Sequence, residues 1–219
     1  MGVRCGRLWA AFLVAMACAF GRAEAAGQLG PRSAEEWIRL MERPERVATL
    51  RIDEIISRLG LGPGDVVADI GAGAGTFSLP FARAVAPGGT VYAVEIDPEL
   101  VAYIEERAET EGVRNVAGVL GEFTDPALPA RDVDLAFFHD VLHHVEDRAG
   151  YLENLAGYIG PEGRVVVIEN PRSHQDPEQS EMHLSREEVD RWMADAGFGV
   201  SEEHDLFGGG KWFVVYSRR

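Results

Sequence analysis

From residue 61 onward, short unbroken apolar runs alternate with longer stretches whose apolar positions recur every three or four residues. The runs predict strands at Val66–Ile70, Thr90–Ile96, Asn115–Leu120, Val133–Phe138 and Arg164–Glu169. The periodic stretches predict helices over Thr76–Val85, Pro98–Thr110 and Arg148–Ile159. Val165-Val166-Val167-Ile168 carries no polar side chain, as a parallel strand buried on both faces requires. Strand and helix in strict alternation predict an α/β fold, a doubly wound sheet of Rossmann-like type. Past residue 184 the pattern changes. Ser185-x-x-Glu188 reads as a capping box for a helix that carries Val189, Trp192 and Met193 and stops at Gly197. Val200–Leu206 and Trp212–Ser217 then read as two strands joined through Phe207-Gly208-Gly209-Gly210, a hairpin rather than another crossover.

Ahead of the alternation lie two helical patterns. Ser33-x-x-Glu36 caps a stretch with Trp37, Ile38, Leu40 and Met41, and Pro44 breaks or restarts it. Val47, Leu50, Ile52, Ile55, Ile56 and Leu59 follow at spacings of three and four, closed by Gly60. These helices are expected to form a cover over residues 26–60, in front of a domain over 61–219.

Residues 1–25 read differently. A basic segment to Arg7, a 13-residue apolar run from Leu8 to Phe20 and Ala23-Glu24-Ala25 make the pattern of a cleaved export signal. The run is shorter than the roughly 20 apolar residues of a membrane span, so export to the periplasm or medium is expected, with an uncleaved anchor as the alternative. Cys5 and Cys18 would leave with the signal, and the remaining chain could form no disulfide and offer no thiolate.

Charge narrows the partners. With 21 basic and 36 acidic side chains the net charge is −15, and without residues 1–25 it becomes 18 against 35, or −17. A surface of that sign repels phosphate backbones and anionic lipids, and no basic patch in the sequence offsets it. Nucleic acid and membrane surfaces are therefore not expected partners.

The sharpest local feature is Val66-Val-Ala-Asp69-Ile-Gly71-Ala72-Gly73-Ala-Gly75-Thr76, a strand running into a glycine-rich turn and a helix. Glycines suit a tight turn whose backbone must pass close to a ligand. The sixth position is Thr76, where a dinucleotide fingerprint wants Gly or Ala, which speaks against an NAD-dependent oxidoreductase. Twenty residues past Gly75, Glu95 ends the second strand, where a carboxylate can accept hydrogen bonds from both hydroxyls of a ribose. The plainer alternative is a tight turn alone, with Glu95 capping the helix after Pro98.

These residues resemble the class I S-adenosylmethionine-dependent methyltransferases. Asp69-Ile-Gly71-Ala-Gly73-Ala-Gly75 is similar to their first motif, Val91–Asp97 to their second-strand acid, Gly121-Glu122-Phe123 to the segment after the third strand, Asp134–Asp140 to the fourth strand and Gly160–Arg164 to the turn into the fifth. The resemblance runs from about residue 46 to 217 and leans toward the UbiE-like small-molecule group through Val141-Leu-His143-His144; Glu122 stands where that group more often has Asp. It implies a seven-stranded, mostly parallel sheet with a C-terminal antiparallel hairpin strand, and S-adenosyl-L-methionine as cofactor. It further implies that Asp69 and the backbone of Gly71, Ala72, Gly73 and Gly75 hold the methionine portion. Glu95 would then meet the ribose, Glu122 and Phe123 the adenine, while His139 flanks the reactive end and Ile96 is a further cofactor contact. A cationic, phosphate-free cofactor suits an acidic pocket.

Methyl transfer asks the protein mainly for alignment and exclusion of water, with a base where the acceptor carries a proton. His139-Asp140-Val-Leu-His143-His144 supplies the candidates, His143 and Asp140 first, at the end of the fourth strand where open α/β sheets place ligands. A packing and capping role for the paired histidines is the alternative, and no metal is expected there. Acceptor contacts are expected from Asn170–Leu184, with Arg172, His174 and His183 foremost. The expected activity is methyl transfer to a small molecule or an accessible side chain; an exported binding module that keeps the fold without catalysis is the rival. Val91–Leu100 also resembles protein isoaspartyl methyltransferases, from which the His-His segment points away.

Overall fold

Seven strands hydrogen-bond in the order β3-β2-β1-β4-β5-β7-β6. They are β1 (Val66–Ile70), β2 (Thr90–Glu95), β3 (Val116–Leu120), β4 (Val133–His139), β5 (Ile159–Glu169), β6 (Phe198–Glu203) and β7 (Trp212–Arg218). The computed structural model describes residues 32–171 and 184–219. The expected export signal and Arg172, His174 and His183 lie outside the described residues. β1 to β5 pair in parallel, whereas β7 runs against both β5 and β6. The chain crosses over after β3 and starts again beside β1, which opens the switch point between β1 and β4.

Both faces of the sheet are covered, which is why its central strands lack polar alternation. In β4, Leu135 and Phe137 turn to one side and Ala136 and Phe138 to the other, and all four are fully buried. The first side packs on α3 (Ile52–Leu59) and α4 (Ser78–Val85) through Ile55, Leu59, Phe81 and Val85. The second packs on α6 (Arg148–Ala156) and α7 (Arg186–Asp195) through Leu152, Leu155, Val189 and Met193. α5 (Pro98–Thr110) covers β2 and β3 with Leu100 and Ile104. Each fully buried side chain of this size contributes about 1.5–3 kcal/mol.

The N-terminal pattern resolves into three helices, α1 (Ala34–Met41), α2 (Pro44–Thr49) and α3. The additional break falls at Arg51, whose φ of 54° is left-handed. Its guanidinium bridges Glu54 at 2.6 and 2.5 Å and donates to Leu206 O, holding that bend against the strain of a non-glycine residue. Pro44 occupies the first turn of α2, where its missing N–H costs nothing. α7 carries the capping box read from Ser185 and Glu188, both halves of it formed.

The larger departures from the sequence reading fall at β5, α6 and β6, the last running over Phe198–Glu203 instead of Val200–Leu206. β5 begins at Ile159 instead of Arg164, because Val133 pairs with Ile159 and Leu135 with Arg164, so Gly160–Gly163 bulge out within a continuing strand. α6 accordingly stops at Ala156, and after a turn through Gly157 and Tyr158 the chain enters the sheet at Ile159.

Register places the site. Ile70 lies opposite Val94 and Phe138, His139 opposite Ile168, and Glu169 opposite Trp212. Gly71, Glu95, His139 and Glu169 therefore arrive together at the carboxyl edge.

Candidate active site

The loop after β1 is closed by its own hydrogen bonds. Gly71 N and Ala72 N both donate to Val94 O, at 2.9 and 3.0 Å, and Gly75 N donates to Ala72 O at 2.9 Å. Gly73 N donates to Glu95 Oε1 at 2.7 Å. A loop that cradles phosphate needs these N–H groups free; here they are committed, consistent with the reading of Thr76 against a dinucleotide. Gly71, Gly73 and Gly75 have φ of 68°, 59° and 72°, the left-handed region. Close packing adds a second reason for glycine. A Cβ on Gly71 would lie 2.2 Å from Val141 Cγ2, and one on Gly73 would lie 2.5 Å from Met41 Sδ.

Glu95 is 6% exposed and takes the backbone N–H groups of Gly73 and, at 3.0 Å, Ile96. It does not cap the following helix: Asp97 does, accepting from Glu99 N at 2.8 Å. Asp69, 3% exposed, accepts from Ser78 Oγ at 2.5 Å. Burial pushes Asp69 up to about 7 against the Ser78 hydrogen bond, and Glu95 adds to the rise. Burial raises Glu95 as well, while the Gly73 and Ile96 N–H groups oppose it. Two buried carboxylates thus share one corner with no cationic partner among the described residues. Such a corner favours a ligand that brings hydroxyl donors or positive charge.

Glu122, after β3, is exposed, and its backbone N donates to Asp125 O at 2.8 Å; Phe123 beside it is half-buried. The carboxylate faces solvent at the rim, two residues past Leu120, the register partner of Glu95.

At the end of β4 the histidines divide. His139 sits 5.0 Å from the Phe77 ring, its Nδ1 is 3.4 Å from Asp140 Oδ2, and its Nε2 is buried with no partner among the described residues. Burial lowers it to about 4 despite Asp140, with Lys211 and Arg46 lowering it further, so it is neutral at pH 7. Asp140 has φ 55° and accepts from Lys211 Nζ and, at 3.1 Å, from Asn170 Nδ2. His143 and His144 form a 3₁₀ turn with Leu142, their ring centroids 4.1 Å apart. His143 Nδ1 lies 2.9 Å from Glu169 Oε2. Glu169, Lys211, Ser78 and Met41 were not among the site residues read from the sequence. For Glu169 the signal was available, a lone acid ending an otherwise apolar strand. Among the described residues no group of three or more His, Asp or Glu is placed to hold a metal ion, and no helix is long and apolar enough to cross a membrane.

A doubly wound sheet with a buried acid at the end of β2, a packed glycine loop after β1 and a polar cluster beyond β4 is the arrangement of a nucleoside-cofactor protein of Rossmann-like type. Residues 61–197 match the family model described as a methyltransferase domain, and the chain belongs to that family. It is 34% identical over 119 residues to a protein-L-isoaspartate O-methyltransferase of Aeropyrum pernix, covering 53% of this chain and 43% of the relative. Identity is 28% over 149 residues to a trans-aconitate 2-methyltransferase of Mycobacterium tuberculosis, covering 67% and 53%. The chain thus spans about half the length of the curated relatives it matches. Among solved structures, a SAM-dependent methyltransferase from Aquifex aeolicus superposes with a TM-score of 0.73 at 26% identity, covering 85% of this chain and 98% of the other.

Proposed function

We propose that this chain transfers a methyl group from S-adenosyl-L-methionine to a small molecule or an accessible side chain. One observation carries the reading: the buried pair Asp69 and Glu95, without a cationic partner among the described residues, gathered against a glycine loop in which the N–H groups of Gly71, Ala72, Gly73 and Gly75 are already bonded. That corner is matched to a ligand with hydroxyls and positive charge and without phosphate. When bound, the cofactor supplies a methyl group on a sulfonium sulfur, which keeps the bonding electron pair as the methyl leaves.

The chain's own part is holding and aligning. Glu95, with Ile96 beside it, keeps lone pairs for the ribose hydroxyls beyond the two N–H bonds it accepts. Asp69 and the close-packed Gly71, Ala72, Gly73 and Gly75 hold the methionine portion. Glu122 and Phe123 border the adenine, and neutral His139 offers its unpartnered Nε2 toward the reactive end. Asp140 is fixed by Lys211 and Asn170, which suits it to shape the acceptor side. His143 is the proton acceptor of this reading. Enclosing the two reactants there supplies orientation, the main demand of a direct displacement.

Titration calorimetry with the cofactor should give a micromolar dissociation constant, and absence of heat at millimolar cofactor would refute the proposal. Incubation with methyl-labelled cofactor and a cell-envelope extract should then label an acceptor; binding without label would leave a non-catalytic module. Export belongs to the same proposal on the strength of residues 1–25 alone, and mass spectrometry of the protein from its native cells should find the N-terminus at Ala26.

A further inference from the structure

We propose that Glu169 is a positioning residue that presents His143 Nε2 as proton acceptor to a hydroxyl-bearing methyl acceptor, a phenol or enol rather than a carboxylate. The inference rests on the methyltransferase reading and deepens it. Glu169 is 1% exposed, and a carboxylate buried so fully is costly unless partners hold its charge. Among the described residues both partners belong to His143: Oε2 meets Nδ1 at 2.9 Å, and Oε1 accepts from the backbone N at 3.3 Å. An ionised carboxylate only accepts, so the contact keeps a proton on Nδ1 and leaves the lone pair on Nε2. No described group bonds to that nitrogen.

The turn that carries the ring is pinned from behind. Arg148 donates through Nε to Leu142 O at 3.2 Å and through Nη2 to His143 O at 2.7 Å. A base held in one tautomer and one orientation is what proton transfer needs. Charged groups of both signs surround it. Glu169 faces His143 from β5 and Arg148 from α6, and Asp140 with its partner Lys211 lies on the β4 side. Among the described residues these two negative and two positive groups offset one another, and Arg46, whose charge reaches His139, adds to the positive side. His144 is held toward its neutral form by burial and by His143.

A carboxylate acceptor carries no proton and gains nothing from a base. A hydroxyl must lose its proton as the oxygen forms its new bond: the O–H bond breaks, its electron pair stays on oxygen, and the proton bonds to Nε2. The imidazolium then releases it to water.

The test uses the full chain with phenol and benzoate as probes, which share a ring and differ in the acceptor group. Labelled cofactor should methylate phenol and not benzoate. Glu169→Gln should lower kcat on phenol at least tenfold with KM nearly unchanged and cofactor affinity intact, and Glu169→Asp should recover part of the loss. His143→Gln should cost on the order of 100-fold, the lower end for a general base. Independently of turnover, ¹⁵N spectra should show His143 protonated at Nδ1 and bare at Nε2, a preference lost in Glu169→Gln. Benzoate accepted as well as phenol, kcat insensitive to Glu169→Gln, or a proton on Nε2 would overturn the proposal. Failure of the cofactor to bind would sink the methyltransferase reading instead.

Discussion

Glu95 Oε1 accepts the Gly73 N–H at 2.7 Å, so the acid that ends β2 and the middle glycine of the loop after β1 form one hydrogen-bonded unit. Glu95→Ala removes an acceptor from a buried N–H and a carboxylate from the cofactor corner at once. The first loss costs about 1–3 kcal/mol of stability. The second should weaken cofactor binding by roughly tenfold to 100-fold, the worth of one or two charge-assisted hydrogen bonds. Calorimetry alongside thermal unfolding separates the two. An unchanged dissociation constant would remove Glu95 from the binding site.

Gly71 and Gly73 should respond unequally to alanine. Both have positive φ, which costs a non-glycine residue about 1–2 kcal/mol. At Gly71 the new methyl also strikes the branched Val141 side chain at 2.2 Å, whereas at Gly73 it meets the flexible end of Met41. Gly71→Ala should therefore lower Tm by several degrees more than Gly73→Ala. Adding Val141→Ala to Gly71→Ala should restore part of the difference. Equal losses in differential scanning fluorimetry would show that the Val141 contact is of no consequence.

The core of this fold was legible because its signals are local. An uncharged Val165–Ile168, the Asp97-Pro98 helix start and the Ser185 capping box each lie within a few residues, and each stands where it was read. The glycine loop and Glu95 were legible through spacing. What stayed hidden depends on contacts distant in sequence. Glu169 meets His143 across 26 residues, and Lys211 meets Asp140 across 71, because β5 and β7 pair beside β4 only once the sheet has formed. The Arg51 bend is held by Leu206 O, 155 residues on, as well as by nearby Glu54. The five extra residues at the start of β5 were misread because Gly160 and Gly163 signal a turn while the strand continues through a bulge.

Asp69 and His139 should pull the pH dependence of stability in opposite directions across one window. Asp69 titrates near 7 when folded, against an ordinary 3.8, so the folded state holds an extra proton between those values. That contribution is full below about 4 and is lost as pH rises to 7. His139 titrates near 4 when folded, against 6.5, so its contribution is full above 6.5 and is lost as pH falls to 4. Relative to wild type, Asp69→Asn should therefore gain in Tm from pH 4 to 7, and His139→Gln should lose across the same range. Parallel curves for either variant and wild type would contradict the assigned shift.

The N-terminal cover should be fastened at Glu42. Its carboxylate accepts from Tyr103 Oη at 2.7 Å and lies 3.3 Å from Arg107 Nη1, which also donates to Ala74 O in the glycine loop at 2.9 Å. One arginine thus joins α5, the loop and the end of α1, just where Met41 lies over Gly73. Burial and Glu42 push the Tyr103 phenol up to about 12, so the hydrogen bond persists through the physiological range. Tyr103→Phe removes one hydrogen bond, worth about 1 kcal/mol. The Glu42 amide, bonded to Ile38 O at 2.9 Å, should then exchange with solvent roughly fivefold faster. Arg107→Met cuts the tie to the loop as well, and should speed exchange at Glu42 and Gly75 together. Exchange at Glu42 unmoved by either substitution would mean that α1 is held by its packing alone.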